Sequence, residues 1–426
     1  MEQTQPAVLE KAIVAGLNCS LFTKEENATE QSLLELQALL ETAGGECVGS
    51  FLQSRSAPDP HSLLGPGKTE EIRLAAQAWG ASMLIVDNPL SPSQLRALEE
   101  MTGLTVLDRS ALILDIFAQR ARSREGRLQV ELAQYQYLLP RLSGMGASLS
   151  RQGGGIGTRG PGETRLETDR RYIRERIDRL KRQLEEVRRV RDVQRRRRVK
   201  NELPLVCLVG YTNAGKSSLL NALTDAGIPA NNRLFDTLDT TSRLLQLSDS
   251  AQAVLSDTVG FIAKLPHNLI DAFQATLEEL GYADVLIHVI DASDPERTEH
   301  MEVVEQLISQ LARPGTPVLE CYNKCDVAAD ELLTRRENTL AVSARTGQGL
   351  DRLLQAVEQA LSRGLTAVEF LLPYPMASAL DTLHTSAKVD DVQYQADGIH
   401  VRARVDEALL GRLRPYLRQT QEETRT

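Results

Sequence analysis

The chain has 426 residues, of which 42% are hydrophobic and 25% charged, and we expect roughly two to four domains, each with its own core. The net charge of −9 excludes a protein that coats nucleic acid with its whole surface, and no apolar run reaches the ~20 residues that span a bilayer. Five scattered cysteines do not form a disulfide framework, so we expect free thiols and a cytoplasmic location.

Residues 1–124 alternate short apolar runs with helical patterns. The runs KAIVAGL, ECVGSFL, MLIVD and LTVLD are typical of strands, and KTEEIRLAAQAW and SPSQLRALEEM have helical spacing. This order predicts an α/β domain with a parallel sheet. The segment Gly67-Lys68-Thr69 resembles half of a phosphate-binding motif, but Ser62 replaces its first glycine. We therefore favour a Gly-Pro turn at the start of a helix over an ATP site.

Residues 125–200 are predicted to form an antiparallel helical hairpin with a glycine-rich tip. Two apolar seams repeat at helical spacing, one at Leu128, Leu132, Tyr135 and Leu139, the other at Ile173, Ile177, Leu180, Leu184 and Val187. Such seams place apolar side chains on one face of each helix, where the two helices can meet. The tip contains a G-x-G-x-x-G at 155–160. It follows a helix rather than a strand, which excludes a dinucleotide-binding turn.

Positive charge is concentrated in this hairpin. Residues 151–200 contain 18 Lys and Arg against 8 Asp and Glu, whereas the rest of the chain has 31 against 50. One basic element on an acidic molecule indicates contact with a polyanion, here RNA phosphates, although a solvated helix face is the alternative. Glycines permit close backbone approach, so we interpret the tip as contacting RNA rather than as a flexible linker. Its candidate residues are Gly153, Gly154, Gly155, Gly157 and Arg159.

A complete phosphate-binding motif opens the next region, where strands and helices alternate again from 201 to 364. The motif G-x-x-x-x-G-K-S follows the apolar run LVCLV and precedes the helical run SLLNAL, as such a loop requires. Its backbone N–H groups and the helix N-terminus bind phosphates. Lys216 reaches the β- and γ-phosphates and Ser217 ligates Mg²⁺. The loop consists of Gly210, Tyr211, Thr212, Asn213, Ala214, Gly215, Lys216 and Ser217.

Further motifs follow in the order found in GTP-binding domains. In the first, Asp257 can hold Mg²⁺ through a water and the Gly260 N–H can meet the γ-phosphate. In the second, the carboxylate of Asp326 can accept hydrogen bonds from guanine N1–H and N2–H₂, donors that adenine lacks. The sequence therefore predicts GTP rather than ATP. These motifs are Asp257-Thr258-Val259-Gly260, Asn323-Lys324-Cys325-Asp326 and Ser343-Ala344-Arg345, whose backbone can meet guanine O6.

The segment LFDTLDTTSR between the first two motifs has the composition of a switch loop, which must offer a threonine hydroxyl to Mg²⁺. Thr237, Thr240 and Thr241 are candidates, and we favour Thr237. Phe261 stands where Ras-type GTPases have the glutamine that orients the attacking water. We interpret it as a packing residue and expect slow intrinsic hydrolysis. The group that orders the water stays open between the backbone, a partner and His267.

The motif sequences resemble those of HflX-family GTPases. The likeness includes VGYTNAGKSSLLNALT and SDTVGFIAKLPHNLIDAFQATLEE in the GTPase region, PDPHSLLGPGKTEEI before it, and GGGIGTRGPGETRLETDRRYIRERI in the hairpin. The resemblance implies a factor that binds the large ribosomal subunit, splits or rescues stalled ribosomes under stress, and points the hairpin tip into the peptidyl transferase centre. It also implies a first switch, with Thr237 on Mg²⁺, formed by Phe235, Asp236, Thr237, Leu238 and Asp239. Many members have proline where this chain has Thr240.

The expected fold is a multidomain α/β protein. It comprises an N-terminal α/β domain (1–124), a helical hairpin (125–200), a P-loop GTPase domain with a mostly parallel sheet (201–364) and a small C-terminal α+β domain (365–426). The expected partners are GTP or GDP, Mg²⁺ and ribosomal RNA, and we expect a monomer. The alternatives are a GTPase of ribosome assembly or RNA modification, and a binding module in which the nucleotide is structural.

Overall fold

The structure is a computed structural model. It describes residues 10–23, 26–142, 161–200, 203–224, 234–235, 241–248, 251–258, 260–264, 278–328, 340–362, 366–405 and 407–418. No described helix is long and apolar enough to cross a membrane.

The N-terminal region is a parallel four-stranded sheet in the order β2-β1-β3-β4. Its strands are β1 (Lys11–Cys19), β2 (Glu46–Arg55), β3 (Met83–Val86) and β4 (Thr105–Asp108), and its helices are α1 (Glu30–Ala43), α2 (Pro66–Trp79), α3 (Pro92–Thr102) and α4 (Arg109–Arg120). The predicted parallel sheet is confirmed, and the predicted turn before a helix is too, because Pro66 is the first residue of α2.

Helix ends in this region are fixed by local chemistry. Thr29 and Ser91 cap α1 and α3 with capping boxes, each accepting a hydrogen bond from a backbone N–H of the first turn. Asp108 caps α4 by accepting from the Ala111 N–H at 2.9 Å. Asp87 and Asp108 lie at the carboxyl ends of β3 and β4. At this edge of the sheet Asp87 accepts from Arg109 of α4, and Asp108 accepts from Arg141.

Two long helices follow, α5 (Arg124–Arg141) and α6 (Pro161–Lys200). The two predicted seams pack against each other, with Leu132, Ile177 and Leu180 buried at the centre of the contact. A salt bridge also joins the two helices, with Arg176 Nη2 2.5 Å from Glu131 Oε1. The end of α5 is fixed to the N-terminal sheet because Tyr137 and Arg141 both donate hydrogen bonds of 2.8 Å to Asp108.

Residues 205–362 contain a six-stranded sheet in the order β10-β9-β8-β5-β7-β6, in which β6 is antiparallel to β7 and the other described pairings are parallel. Its elements are β5 (Leu205–Gly210), α7 (Lys216–Thr224), β6 (Thr241–Gln246), β7 (Gln252–Asp257), β8 (Val285–Asp291), α8 (Arg297–Leu311), β9 (Val318–Asn323), β10 (Leu340–Ala341) and α9 (Leu350–Ser362). The predicted mostly parallel sheet is confirmed. Its parallel strands place their motif residues at one edge, where ligands bind in such folds.

The last region is a three-stranded antiparallel sheet in the order β11-β13-β12. It contains β11 (Thr366–Leu372), α10 (Ala377–Ser386), β12 (Lys388–Gln395), β13 (Gly398–Val405) and α11 (Glu407–Leu413). Phe370, Val401 and Leu383 are buried between the sheet and α10. This region thus has a core of its own.

One hydrophobic core joins the N-terminal region to the region of the six-stranded sheet. It contains Ile113 and Phe117 of α4 together with Phe235, Val209 of β5 and Phe261. Because apolar side chains of both regions are buried in the same cluster, the two regions are packed as one unit rather than tethered by a linker.

Candidate functional site

The phosphate loop, residues 210–217, connects β5 to α7 and has a backbone that only glycine permits at two points. A Cβ on Gly210 would lie 2.3 Å from the carbonyl oxygen of Val289, and one on Gly215, whose φ is +92°, would lie 2.2 Å from the Asn323 amide nitrogen. Asn213 also has a positive φ of 61°. These conformations wrap the loop ahead of the N-terminus of α7, a geometry that suits an anion.

Lys216 is buried beneath the loop. Its Nζ donates hydrogen bonds to the carbonyl oxygens of Gly210 at 3.0 Å and Tyr211 at 2.8 Å. Burial lowers the pKa of Lys216 to about 8, and the charge of Asp257 opposes that shift. A phosphate at the loop would supply the negative charge that this ammonium lacks.

Ser217 and Asp257 provide oxygen atoms suited to Mg²⁺. Ser217 Oγ donates a hydrogen bond of 2.8 Å to Asp257 Oδ2, and Asp257 is fully buried at the end of β7. A hydroxyl and a carboxylate beside a phosphate site fit a magnesium ion that also keeps water and phosphate oxygens. Ser217 would ligate the ion and Asp257 would hold one of its waters. When bound, Mg²⁺ supplies charge neutralisation at the phosphates.

The segment after β7 lies directly on the phosphate loop. Gly260 is so close that an added Cβ would be 3.0 Å from the Thr212 Cα and 3.1 Å from Lys216 Nζ. Phe261 is 2% exposed, and its backbone bonds to the loop on both sides, donating to the Gly210 oxygen at 3.1 Å and accepting from the Thr212 N–H at 2.7 Å. The Phe261 side chain therefore packs in the core. Thr258 directs its hydroxyl to the Leu208 carbonyl oxygen at 2.7 Å.

The segments after β9 and β10, which the sequence assigns to guanine, meet the phosphate loop through Asn323. Its amide nitrogen donates to the Ala214 carbonyl oxygen at 2.9 Å, and its amide oxygen accepts from the Ala344 N–H at 3.0 Å. Lys324, with a φ of 62°, places its Nζ 2.6 Å from Asp291 Oδ2. Asn323 thus ties three loops together at the edge of the sheet.

Asp326 is held as an ionised acceptor. Ser343 Oγ donates to its Oδ1 at 2.7 Å, and Arg345 Nη2 lies 3.2 Å from its Oδ2. The hydrogen bond from Ser343 is the main cause of the lowered pKa of Asp326, and the charge of Arg345 adds to it. Cys325, next to it, is buried, and burial raises the pKa of its thiol.

Several predicted site residues lie outside the described residues. They are Asp236, Thr237, Leu238, Asp239, Thr240, Val259 and His267, and the hairpin-tip residues Gly153, Gly154, Gly155, Gly157 and Arg159. Phe235 is described. Its ring meets that of Phe117 edge to face, with centroids 4.6 Å apart, so the side chain points to α4 and only its backbone is available to the switch.

Residues that the sequence did not single out also border the loop. His288, within the apolar strand β8, is 2% exposed, and burial together with the nearby charge of Lys216 lowers its pKa to about 4. The His300 ring stacks on Tyr211 with centroids 3.7 Å apart. The sequence contains a signal for His288 and Asp291, because these polar residues interrupt and end the otherwise apolar run VLIHVID. It contains no signal for His300, the stacking partner of Tyr211.

Comparison with known families covers nearly the whole chain. Four family models match in succession: "GTP-binding GTPase N-terminal" at 30–118, "GTP-binding GTPase Middle Region" at 120–198, "50S ribosome-binding GTPase" at 205–324 and "HflX C-terminal domain" at 329–418.

Individual proteins are similar over comparable lengths. GTPase HflX of Caldanaerobacter subterraneus subsp. tengcongensis is 47% identical over 389 residues, covering 91% of this chain and 90% of the relative. GTPase HflX of Escherichia coli is 45% identical, covering 83% of this chain and 84% of the relative. A GTP-binding protein from the archaeon Sulfolobus solfataricus, solved with GDP, is 24% identical with a TM-score of 0.44 and covers 83% of this chain and 99% of that chain.

Proposed function

The chain belongs to the HflX family of GTPases, and from this premise we propose that it binds the large ribosomal subunit and uses GTP hydrolysis to split or rescue stalled ribosomes. The observation that carries the proposal is that the phosphate loop and the segments after β7, β9 and β10 meet at one sheet edge, on the same chain as a long hairpin with a basic end. The match of residues 205–324 to a family described as a 50S ribosome-binding GTPase supports it.

We assign the nucleotide contacts to the sheet edge described above. The phosphates belong to residues 210–217, Mg²⁺ to Ser217 and Thr237, and guanine to residues 323–326 and 343–345. The first switch is residues 235–239 and the second is residues 257–260. Phe261 cannot orient a water, since its side chain has no polar atom. Intrinsic hydrolysis is therefore slow, and the ribosome supplies the group that orients the attacking water.

The hairpin is assigned to ribosomal RNA. Its seam is occupied by the packing between α5 and α6, which leaves the outer face of α6 to solvent. Among its described side chains, exposed arginines alternate with exposed carboxylates such as Glu175 and Glu185, which pair with Arg171 and Arg189. The other exposed arginines there are Arg174, Arg179 and Arg182. The excess positive charge comes from residues 191–200, which have six Lys and Arg against one Asp, and such a run on an acidic chain suits phosphate contacts. The protein acts as a cytoplasmic monomer built from the four expected regions, with the tip residues Gly153, Gly154, Gly155, Gly157 and Arg159 on the RNA.

GTP turnover with and without purified 50S subunits tests this function. We expect 50S subunits to stimulate turnover by on the order of tenfold or more, because we assign the ordering of the attacking water to the ribosome rather than to the backbone or His267. Flat turnover would contradict the proposal and favour a structural nucleotide. Sedimentation of the protein only with immature particles would favour a role in ribosome assembly instead.

The hairpin tip is tested by replacing Gly153, Gly154, Gly155 and Gly157 with alanine. Alanine restricts the backbone and adds bulk where the chain approaches RNA. We expect unchanged GDP affinity but roughly tenfold less stimulation by 50S subunits, a loss comparable with one good contact. The matched control is Gly67→Ala, at an open position in α2. Full stimulation of the tip variant would show that the tip does not contact the ribosome.

A further inference from the structure

The segment that connects β8 to α8, residues 291–300, lies between the two halves of the nucleotide site. In the sheet, β8 has β5 on one side and β9 on the other. The phosphate loop follows β5, and the loop assigned to guanine follows β9. The segment that leaves the end of β8 is therefore placed to contact both loops.

The segment begins with a carboxylate that holds Lys324. Asp291 Oδ2 lies 2.6 Å from Lys324 Nζ. Asp291 Oδ1 accepts from the Ser293 N–H at 3.0 Å and from Ser293 Oγ at 2.6 Å. The backbones are joined as well, because the Ala292 N–H donates to the Asn323 carbonyl oxygen at 2.9 Å. The carboxylate that meets the ammonium is thus fixed by its own turn.

This ion pair fixes the course of the Lys324 side chain. A lysine whose ammonium is anchored can lay its methylene groups along an apolar surface. In the assignment made above, that surface is the face of the guanine that pairs with Asp326. Without Asp291 the ammonium would rotate in water, and ordering the side chain would cost free energy when the nucleotide binds.

The same segment reaches the phosphate loop at its other end. Asp294 Oδ1 accepts from the Glu296 N–H at 2.9 Å, and Asp294 Oδ2 lies 2.8 Å from His300 Nδ1. Because an ionised carboxylate only accepts, Nδ1 carries the proton of this hydrogen bond. The His300 ring, oriented in this way, stacks on Tyr211 with centroids 3.7 Å apart and planes 10° apart. Tyr211 is the second residue of the phosphate loop, so the stack supports that loop.

We propose that residues 291–300 are a bracket that holds the guanine loop and the phosphate loop at the spacing of one nucleoside diphosphate, with Asp291 and His300 as positioning residues. A ligand that spans two subsites binds best when both are ordered before it arrives. Asp291 orders the base side through Lys324, and His300 orders the phosphate side through Tyr211. The inference rests on the proposed assignment of guanine and phosphates to these loops, and not on ribosome binding.

A double-mutant cycle tests the base side, with the GDP affinity of the intact chain measured by calorimetric titration. Asp291→Asn keeps an acceptor oxygen for Ser293 and removes only the charge that faces Lys324. We expect this variant to bind GDP about fivefold more weakly, the upper end for a partly exposed ion pair. Lys324→Met should also weaken binding. Adding Asp291→Asn to it should cause no further loss, because the two residues act through one contact.

Three results of the cycle would contradict the bracket. If the two losses add in the double variant, Asp291 acts on the fold of its own segment and not through Lys324. If Lys324→Met weakens GDP binding and Asp291→Asn does not, the bracket is wrong and the proposed nucleotide site stands. If Lys324→Met binds GDP normally, the assignment of guanine to this loop is wrong, and the bracket is wrong with it.

The phosphate side is tested by two substitutions of His300. His300→Leu removes the ring and should bind GDP about fivefold more weakly, within the range for an aromatic pair. His300→Phe keeps a ring over Tyr211 and should bind GDP within about twofold of the unaltered chain. Equal losses in the two variants, or no loss in either, would show that stacking does not support the phosphate loop.

Two matched controls lie away from the nucleotide site. Asp390→Asn removes a carboxylate 3.2 Å from Arg404 Nε in the last sheet, and Phe51→Leu reduces a ring that stacks on Trp79 within the N-terminal region. Both should bind GDP with unaltered affinity. Losses in the controls as large as those of the bracket variants would indicate a general effect on stability and would overturn the inference.

Discussion

The Asp326→Asn variant is expected to bind GDP and GTP about a hundredfold more weakly, because a site built to pair with specific donors rejects a ligand that leaves its polar groups mismatched. The asparagine amide presents an NH₂ donor where guanine also has donors. Xanthine has a carbonyl oxygen at C2, which can accept from that amide. Affinity for xanthosine diphosphate should therefore rise as that for GDP falls.

Calorimetric titration with GDP and with xanthosine diphosphate measures both effects. The matched control is Asp351→Asn, which removes an exposed carboxylate at the start of α9 and should leave both affinities unchanged. Loss of binding for both bases would mean that the Ser343 and Arg345 contacts of Asp326 hold the loop rather than read guanine. Unaltered preference for GDP would place base recognition elsewhere.

Local sequence patterns were sufficient to predict the strands, the two apolar seams of the hairpin and the phosphate loop. Leu132, Ile177 and Leu180 meet because their spacing places them on one helical face. The loop from Gly210 to Ser217 takes its shape from glycines and from the strand and helix on either side, all of which are neighbours in sequence. Features fixed within a few residues are therefore predictable from the sequence.

The contacts of Tyr211 and Lys264 could not be predicted in this way. The Tyr211 hydroxyl pairs with Glu35, 176 residues away, and Lys264 pairs with Asp87, 177 residues away. Nothing in the spacing of either residue indicates a partner, since the pairing depends on how two sheets pack around a shared core. The same holds for Asn323, which was assigned to guanine recognition and which also ties the phosphate loop to residue 344.

Lys216 should control nucleotide affinity through its charge. In the described geometry its pKa is lowered to about 8 by burial, whereas bound phosphates would stabilise the ammonium and raise that pKa. Binding then takes up a proton above pH 8. Because the bound-state pKa exceeds the free-state pKa, affinity is greatest below about pH 8 and falls by about tenfold per pH unit above it.

The Lys216→Met variant removes this charge and is expected to bind GDP at least about a hundredfold more weakly at pH 7, since hydrogen bonds to charged groups are among the strongest in proteins. Its residual affinity should decline far less between pH 8 and pH 9 than that of the unaltered chain, because ionisation of guanine N1–H at higher pH weakens binding to both alike. Lys68→Met, in the half motif whose lysine pairs with Glu71, is the matched control and should bind GDP normally. A variant at Lys216 that keeps its affinity would contradict the assignment of this loop to the phosphates. If Lys68→Met lowered the affinity for GDP instead, the nucleotide site would have to be reassigned to the N-terminal region.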